Sequence, residues 1–266
     1  MESIDRRKSV RHYKIKFLDA DKISEILRIL DEEQIGPSGY RLRFEFIAEN
    51  LDQDIKKIVT YGFMSGRYGA IVAWVDDNKY AYIDYGYLME KIALRLVEIG
   101  IGTCWLGGSF SKRSIIEAME IDQSDEKNIP SILAVGYEEE GRSIRELIIS
   151  KTKRKRKDFN EFFFTGALTP IVDEEQKDIL EGVRWAPSAM NRQPVRIVWD
   201  GERVHFYLVD VTTSLRYLDM GVAMCHFEER AHEHGIEGKW MVDEQATLTN
   251  WIYLYSFIIE KRKNKQ

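Results

Sequence analysis

The chain has 266 residues, of which 44% are hydrophobic, 12% aromatic and 31% charged, with a formal net charge of −5. That length suffices to bury a full core in one large domain or two small ones, and no apolar run reaches the roughly 18 residues that cross a bilayer. The acidic balance argues against a generic polyanion binder, and two cysteines without a Cys-x-x-Cys pair argue against a disulfide framework or a thiolate zinc site, leaving Cys104 and Cys225 as buried small hydrophobes.

The opening MESIDRRKSVRHY is charged and lacks the apolar segment of a secretory signal, which points to a cytoplasmic protein. Arg7, Ser9 and Arg11 alternate along it, so an extended backbone would aim three donors the same way. An acidic start at Asp19 opens a predicted helix, DADKISEILRIL, followed by a Pro-Ser turn in IGPSGY and strands from Arg43 and Ala70. Leu88, Ile92, Leu96 and Ile99 then trace a helical stripe that Gly100 would end in the left-handed cap position. Trp105-Leu106-Gly107-Gly108 comes next, where glycines permit close backbone approach. A strand is expected from Ser131.

Between 151 and 157, KTKRKRK packs six basic residues into seven positions, which by itself reads as solvated charge or a nucleic-acid contact. A second acidic-start helix is predicted from Asp173, then the loop WAPSAMNRQPVRI and a strand from Arg203. Leu218, Val222 and Cys225 mark another helix, with Gly235 as its cap, and the last strand begins near Asn250.

These elements repeat. Asp84, Gly86, Gly100, Ile101 and Trp105 recur at the same spacing as Asp219, Gly221, Gly235, Ile236 and Trp240, each set preceded by a helix and a Pro-Ser turn. The expected architecture is α+β, with two fused half-copies, 1–165 and 166–266, each a central sheet packed by helices. The copies are unequal: only the first carries Arg7-x-Ser9-x-Arg11, Gly107-Gly108 and the basic run, and only the second carries Pro187-Ser188-x-x-Asn191-x-Gln193-Pro194.

In their order and number these motifs resemble the nitroreductase family of flavoproteins, in particular its tandem branch, in which two half-like copies are fused. The resemblance implies flavin mononucleotide (FMN) held between two protomer-like halves that form an intrachain pseudo-dimer. One side would supply Arg7, Ser9 and Arg11, the Trp105–Gly108 segment after a helix end, and the basic pair Arg154 and Arg156; the other would supply Pro187, Ser188, Ala189 and Asn191. By the same resemblance the Gly107 N–H faces flavin N5, Asn191 bonds the pyrimidine edge or ribityl chain, and Gln193 with Pro194 shapes the loop. One FMN per chain is expected, since each copy lacks what the other holds, and further homodimerisation would use a different face.

The implied activity is hydride transfer from NAD(P)H through FMN to a small organic acceptor such as a nitroaromatic or quinone, with no nucleic acid or membrane partner and no catalytic side chain, because the cofactor carries the chemistry. The alternative is an FMN-binding storage or sensor protein, or a specialised flavin reaction such as reductive dehalogenation or flavin cleavage. His232 and His234 lie about 200° apart on a helix and His226 two turns away, which disfavours a metal site, and no Gly-x-Ser-x-Gly elbow is present.

Overall fold

Two long helices, α3 (Lys79–Glu98) and α6 (Leu215–Glu233), form the middle of the molecule and pack on each other. In the computed structural model, which describes residues 2–48, 55, 58, 59, 62, 64–119, 128–139, 155–243, 246 and 250–262, the chain runs α1 (Glu2–Arg6), α2 (Ala20–Glu32), β1 (Phe44–Ile47), β2 (Gly69–Ala73), α3, β3 (Gly102–Leu106), α4 (Lys112–Ala118) and β4 (Ile132–Gly136). It continues through β5 (Phe163–Thr165), α5 (Glu174–Trp185), β6 (Val195–Asp200), β7 (Arg203–Leu208), α6, β8 (Ile236–Met241) and β9 (Ile252–Arg262). The fold is mixed α+β, with one antiparallel sheet in the order β1-β2-β4-β3 and a second in the order β5-β6-β7-β9-β8.

In the first sheet, Ile71, Ala73, Leu133 and Val135 point toward the helices, while Ala70, Val72, Ile132 and Ala134 turn to the opposite face. Strand periodicity puts neighbours on opposite sides, so a sheet with both faces covered reads as an unbroken apolar run. The outer face is covered by Val10, Tyr13 and Ile115, which brings the N-terminal segment against the sheet. In the second sheet, Ile197, Val204, Phe206, Phe257 and Ile259 join the core around α6. Its β5 runs parallel to β6, Phe163 opposite Ile197, while every other pairing in it is antiparallel. Thus Phe163–Thr165, on the first side of the 165/166 division expected from sequence, is an edge strand of the second sheet.

Both central helices end as their glycines dictate. Gly100 and Gly235 have φ of 79° and 71°, the left-handed region that a side chain disfavours. At the start of α3, the Asn78 side chain accepts from the N–H groups of Tyr80 and Ala81, satisfying two donors that the helix cannot.

The two helices touch backbone to backbone. A Cβ on Gly86 would strike the Leu218 carbonyl, and one on Gly221 the Ile83 carbonyl and the Tyr87 amide. Each glycine of the repeated Asp-x-Gly therefore makes room for the opposite helix. Inserting a methyl group into such a contact costs about 1–3 kcal/mol or more. Gly221→Ala is expected to lower the Tm by about 5–10 °C; an unchanged melt would contradict the close approach.

Candidate functional site

Arg7 is positioned by the short helix before it. Its amide donates to the Ser3 carbonyl, continuing the turn, and α1 is pinned by Arg230 bonding Asp5 at 2.5 Å and by Arg6 Nη2 donating to the Val97 carbonyl. Arg7 consequently lies outside the extended run expected of Arg7-x-Ser9-x-Arg11. That run starts at Ser9, bridged in parallel to Thr103, with the Val10 amide donating to the Thr103 carbonyl. The helix sets the Arg7 side chain inward, where its Nε lies 3.2 Å from Glu90 Oε1.

Glu90 is fully buried on α3 and meets two hydrogen-bonding side chains and one ion-pair partner. Trp105 Nε1 donates to Oε2 at 2.6 Å, and His226 Nε2 and Arg7 Nε both face Oε1, the histidine at 2.8 Å. Burial raises the pKa of this carboxyl, but the Arg7 charge, the His226 bond and charge and the Trp105 bond outweigh it and hold the group below its ordinary value. Neither Glu90 nor His226 was singled out by sequence as part of this site. The available signal was that α3 is apolar on nearly every face, which leaves a glutamate within it no route to water.

Trp105 and Leu106 end β3, so the glycine pair follows a strand rather than a helix. Gly107 and Gly108 are exposed; a Cβ on Gly107 would lie 3.7 Å from Leu215 Cδ1 at the start of α6, and one on Gly108 would meet nothing within 4 Å.

The late loop reaches the same end of α6. The Ala189 amide donates to Asp219 Oδ1 at 2.7 Å, one turn along from Leu215, and the Ser188 hydroxyl accepts from the Gln193 amide at 2.9 Å. Met190, Asn191 and Gln193 have φ of 53° to 54°. Left-handed conformations cost non-glycine residues roughly 1–2 kcal/mol each, least for Asn, so the surrounding bonds must hold the loop in shape. Asn191 Oδ1 accepts from Arg156 Nη1 at 2.8 Å, Asn191 Nδ2 donates to the Lys155 carbonyl, and Gln193 bonds both the Lys155 carbonyl and the Lys157 amide. Gln193 thus shapes the loop, and Pro194 precedes β6. Pro187, Ser188 and Gln193 line a small open crevice together with Phe163, Asp219 and Ala223.

Arg156 also donates to the Trp185 carbonyl at 2.7 Å and lies 5.6 Å from the centre of that indole ring. Burial, then the neighbouring charges of Arg7 and Arg184, brings its pKa down to about 10, so it stays a cation at neutral pH. The structure thus places these residues in two groups along α6: Gly107 and the Ser188–Asn191 loop, with Arg156 bonded to Asn191, lie by Leu215 and Asp219 at its start, and Arg7 and Trp105 meet at Glu90 opposite His226, about three turns farther on. Ser9 is bridged to β3, while the Arg11 carbonyl accepts from the Ser65 amide and Arg11 Nη1 makes a long 3.4 Å bond to the Ser9 carbonyl. Arg154 lies outside the described residues.

Three of these guanidinium groups are incompletely paired. Arg7 Nη1, Arg11 Nε and Arg156 Nε are buried and have no hydrogen-bond partner among the described residues. Buried donors are normally satisfied; Arg230 Nε is unpaired as well, and among the three named above the Arg7 charge acts on Arg156. No cluster of three or more His, Cys, Asp or Glu side chains able to hold a metal ion occurs among the described residues, and no helix there is long and apolar enough to cross a membrane.

A mixed α+β protein with arginines and a strained loop converging on its central helix pair is the class that fold and site define. The family model described as "Putative TM nitroreductase" matches residues 1–231, and the chain belongs to that family. It is similar to a crystal structure of a "putative nitroreductase" from Thermotoga maritima, at 22% identity over 97% of this chain and 92% of that one, with a TM-score of 0.66. An FMN-dependent nitroreductase from Clostridium difficile aligns over 59% of this chain and 98% of its own, at 21% identity and a TM-score of 0.40. A "putative nitroreductase" in complex with FMN from Desulfovibrio desulfuricans aligns over 55% and 92%, at 20% identity and 0.41. No curated protein matches the chain.

Asp219 carries a pH dependence. Burial, against the bonds from the Ala189 amide and Arg216, raises its pKa from 3.8 to about 7. The folded acid keeps its proton to higher pH than the unfolded chain, so its stabilising contribution is complete below about 3.8 and is lost as pH rises through about 7. Asp219→Asn keeps an acceptor for Ala189 and has no charge to bury. The Tm of this variant relative to wild type should rise by about 5 °C between pH 5 and pH 8, and a difference that does not change with pH would contradict the buried acid.

Proposed function

We propose that the chain is an FMN-dependent oxidoreductase of nitroreductase type, moving hydride from NAD(P)H to a small organic acceptor such as a nitroaromatic or quinone. The observation that carries this reading is the unpaired, buried nitrogens on Arg7 and Arg156, whose charges lie close enough for Arg7 to lower the Arg156 pKa. A phosphate ester calls for charge-assisted donors of this kind. When bound, the flavin supplies two-electron hydride chemistry, and the protein's part is to bind, orient and shield it. Arg7, Ser9, Arg11, Arg154 and Arg156 are assigned to the phosphate side. Trp105, Leu106, Gly107 and Gly108 are assigned to the ring edge, where the Gly107 backbone has no side chain to keep a planar ligand away. Pro187, Ser188, Ala189 and Asn191 close the site from the second half.

In this reading residues 1–165 and 166–266 are two copies forming a pseudo-dimer within one chain. The reciprocal contacts of Gly86 and Gly221, and the two Asp-held Pro-Ser turns, support it: Asp84 accepts from the Ser38 and Tyr40 amides as Asp219 does from Ala189. The first turn lacks the Asn, and the second half lacks the arginine motif and glycine pair. One FMN per chain is therefore expected on extraction and assay against protein. Two equivalents would contradict the division of labour between the halves. Each lost charge-assisted bond is worth roughly 1.5–3 kcal/mol, so Arg7→Ala should weaken FMN binding about 10- to 100-fold by fluorescence titration; unchanged affinity would remove Arg7 from the site.

A further inference from the structure

The buried carboxylate of Glu90 is the point where three otherwise separate parts of the molecule meet. Arg7 comes from the end of α1, Trp105 from β3 and His226 from α6, and all three side chains face the two Glu90 oxygens at 2.6–3.2 Å. Glu90 and His226 are fully buried, and the Arg7 side chain is 6% exposed. Through the ring's other nitrogen, His226 meets the Gly182 carbonyl at 2.9 Å, so α5 is tied in as well.

An arginine has five N–H donors in a rigid planar fork. An ion pair at Nε, on a side chain 6% exposed, restrains that fork, because the remaining nitrogens turn only with the whole group. In Arg7 the engaged atom is Nε, toward Glu90, and the atom without a partner among the described residues is Nη1. A surface arginine facing a phosphate has to give up the rotamer freedom of a long side chain on binding; Arg7 has already given it up. The same carboxylate holds the indole of Trp105, the first residue of the segment assigned to the flavin ring edge. One buried anion therefore fixes both the arginine and the strand end relative to each other.

We propose that Glu90 is a positioning residue for ligand binding, holding Arg7 with its free nitrogen presented to a phosphate and in register with the Trp105–Gly108 strand end. This rests on the flavin reading above. It also runs against the simplest electrostatic expectation, since a carboxylate near a phosphate repels it. Glu90 acts through the geometry of Arg7, and that contribution outweighs the repulsion.

The sign of the effect is the test. FMN and riboflavin share ring and ribityl chain and differ by the phosphate, so the ratio of their dissociation constants, read by fluorescence titration, isolates the phosphate. Glu90→Gln is expected to weaken FMN binding about 10-fold while leaving riboflavin within about two-fold of wild type. Tighter FMN binding would show repulsion to dominate, and equal losses for both flavins would show a general packing defect; either overturns the proposal. Combining Glu90→Gln with Arg7→Ala should cost no more FMN affinity than Arg7→Ala alone, and a further loss would show that Glu90 acts by another route.

Arg7→Lys keeps the ion pair and the charge, and serves if Glu90→Gln does not fold. Its single ammonium lacks the planar fork, so FMN binding should again fall about 10-fold, whereas wild-type affinity would overturn the positioning role. Wild-type protein that binds neither flavin contradicts the flavin reading itself, and this inference falls with it.

Discussion

The contact on which the rest of the structure depends is the crossing of the two central helices at Gly86 and Gly221. Each helix is buried on nearly every side, and each glycine admits the other helix's backbone where a side chain would collide. Dense packing of this kind leaves little freedom for relative movement. Two residues before each glycine an aspartate holds a Pro-Ser turn, so the crossing also sets where the two turns sit. Farther along, each helix carries a glutamate that serves both sides. Glu90 of α3 accepts from Trp105 of the first sheet and faces His226 of α6; Glu228 of α6 accepts from Trp240 of the second sheet and from Tyr87 of α3. The repeated tryptophans thus do equivalent jobs, although their glutamate partners stand at different distances from the Asp-x-Gly.

Buried carboxylates on the same helix pair are driven to opposite protonation behaviour by the donors around them. Glu90 has a guanidinium, an imidazole and an indole, and these overcome the cost of its burial. Asp219 has one backbone N–H and a share of Arg216, which also bonds Asp210, and burial prevails. The first carboxylate is thereby suited to holding arginine in place, and the second anchors a loop through an amide. The cluster of left-handed residues at 190–193 persists because Asp219, Ser188, Arg156 and the 155–157 backbone all hold it.

Much of this was legible in sequence where punctuation and periodicity agree. The helix stripes, the caps at Gly100 and Gly235, the turns at Pro37 and Pro187 and strands β1, β2, β4, β7 and β9 follow from local chemistry. Strand β8, Ile236–Met241, was not legible, because an edge strand of Ile-Glu-Gly-Lys-Trp-Met has no clean alternation. Nor was β5, which is three residues long and acquires its identity from a partner 34 residues away. Strand β3 has no separate sequence signal, since Gly-Thr-Cys-Trp-Leu follows the helix cap directly and is placed by pairing with β4. The five-residue α1 offered too little periodicity to reveal that Arg7 leaves a helix. Glu90 was hidden for a different reason: nothing near it in sequence names its partners, which lie 83 residues before it, 15 after it and 136 after it.

The central claim is that one chain supplies both sides of the flavin site, with Arg7 from the first half and the Asn191 loop from the second. On that proposal, tethering would hold the two sides at an effective concentration on the order of millimolar or above, with no exchange between chains. The most direct measurement mixes Arg7→Ala chains with Asn191→Ala chains and titrates the mixture with FMN. A site confined within each chain stays defective in the mixture, matching the average of the two variants alone. Recovery of tight binding, up to about one intact site per mixed pair of chains, would mean that the site is built between chains and would contradict the account.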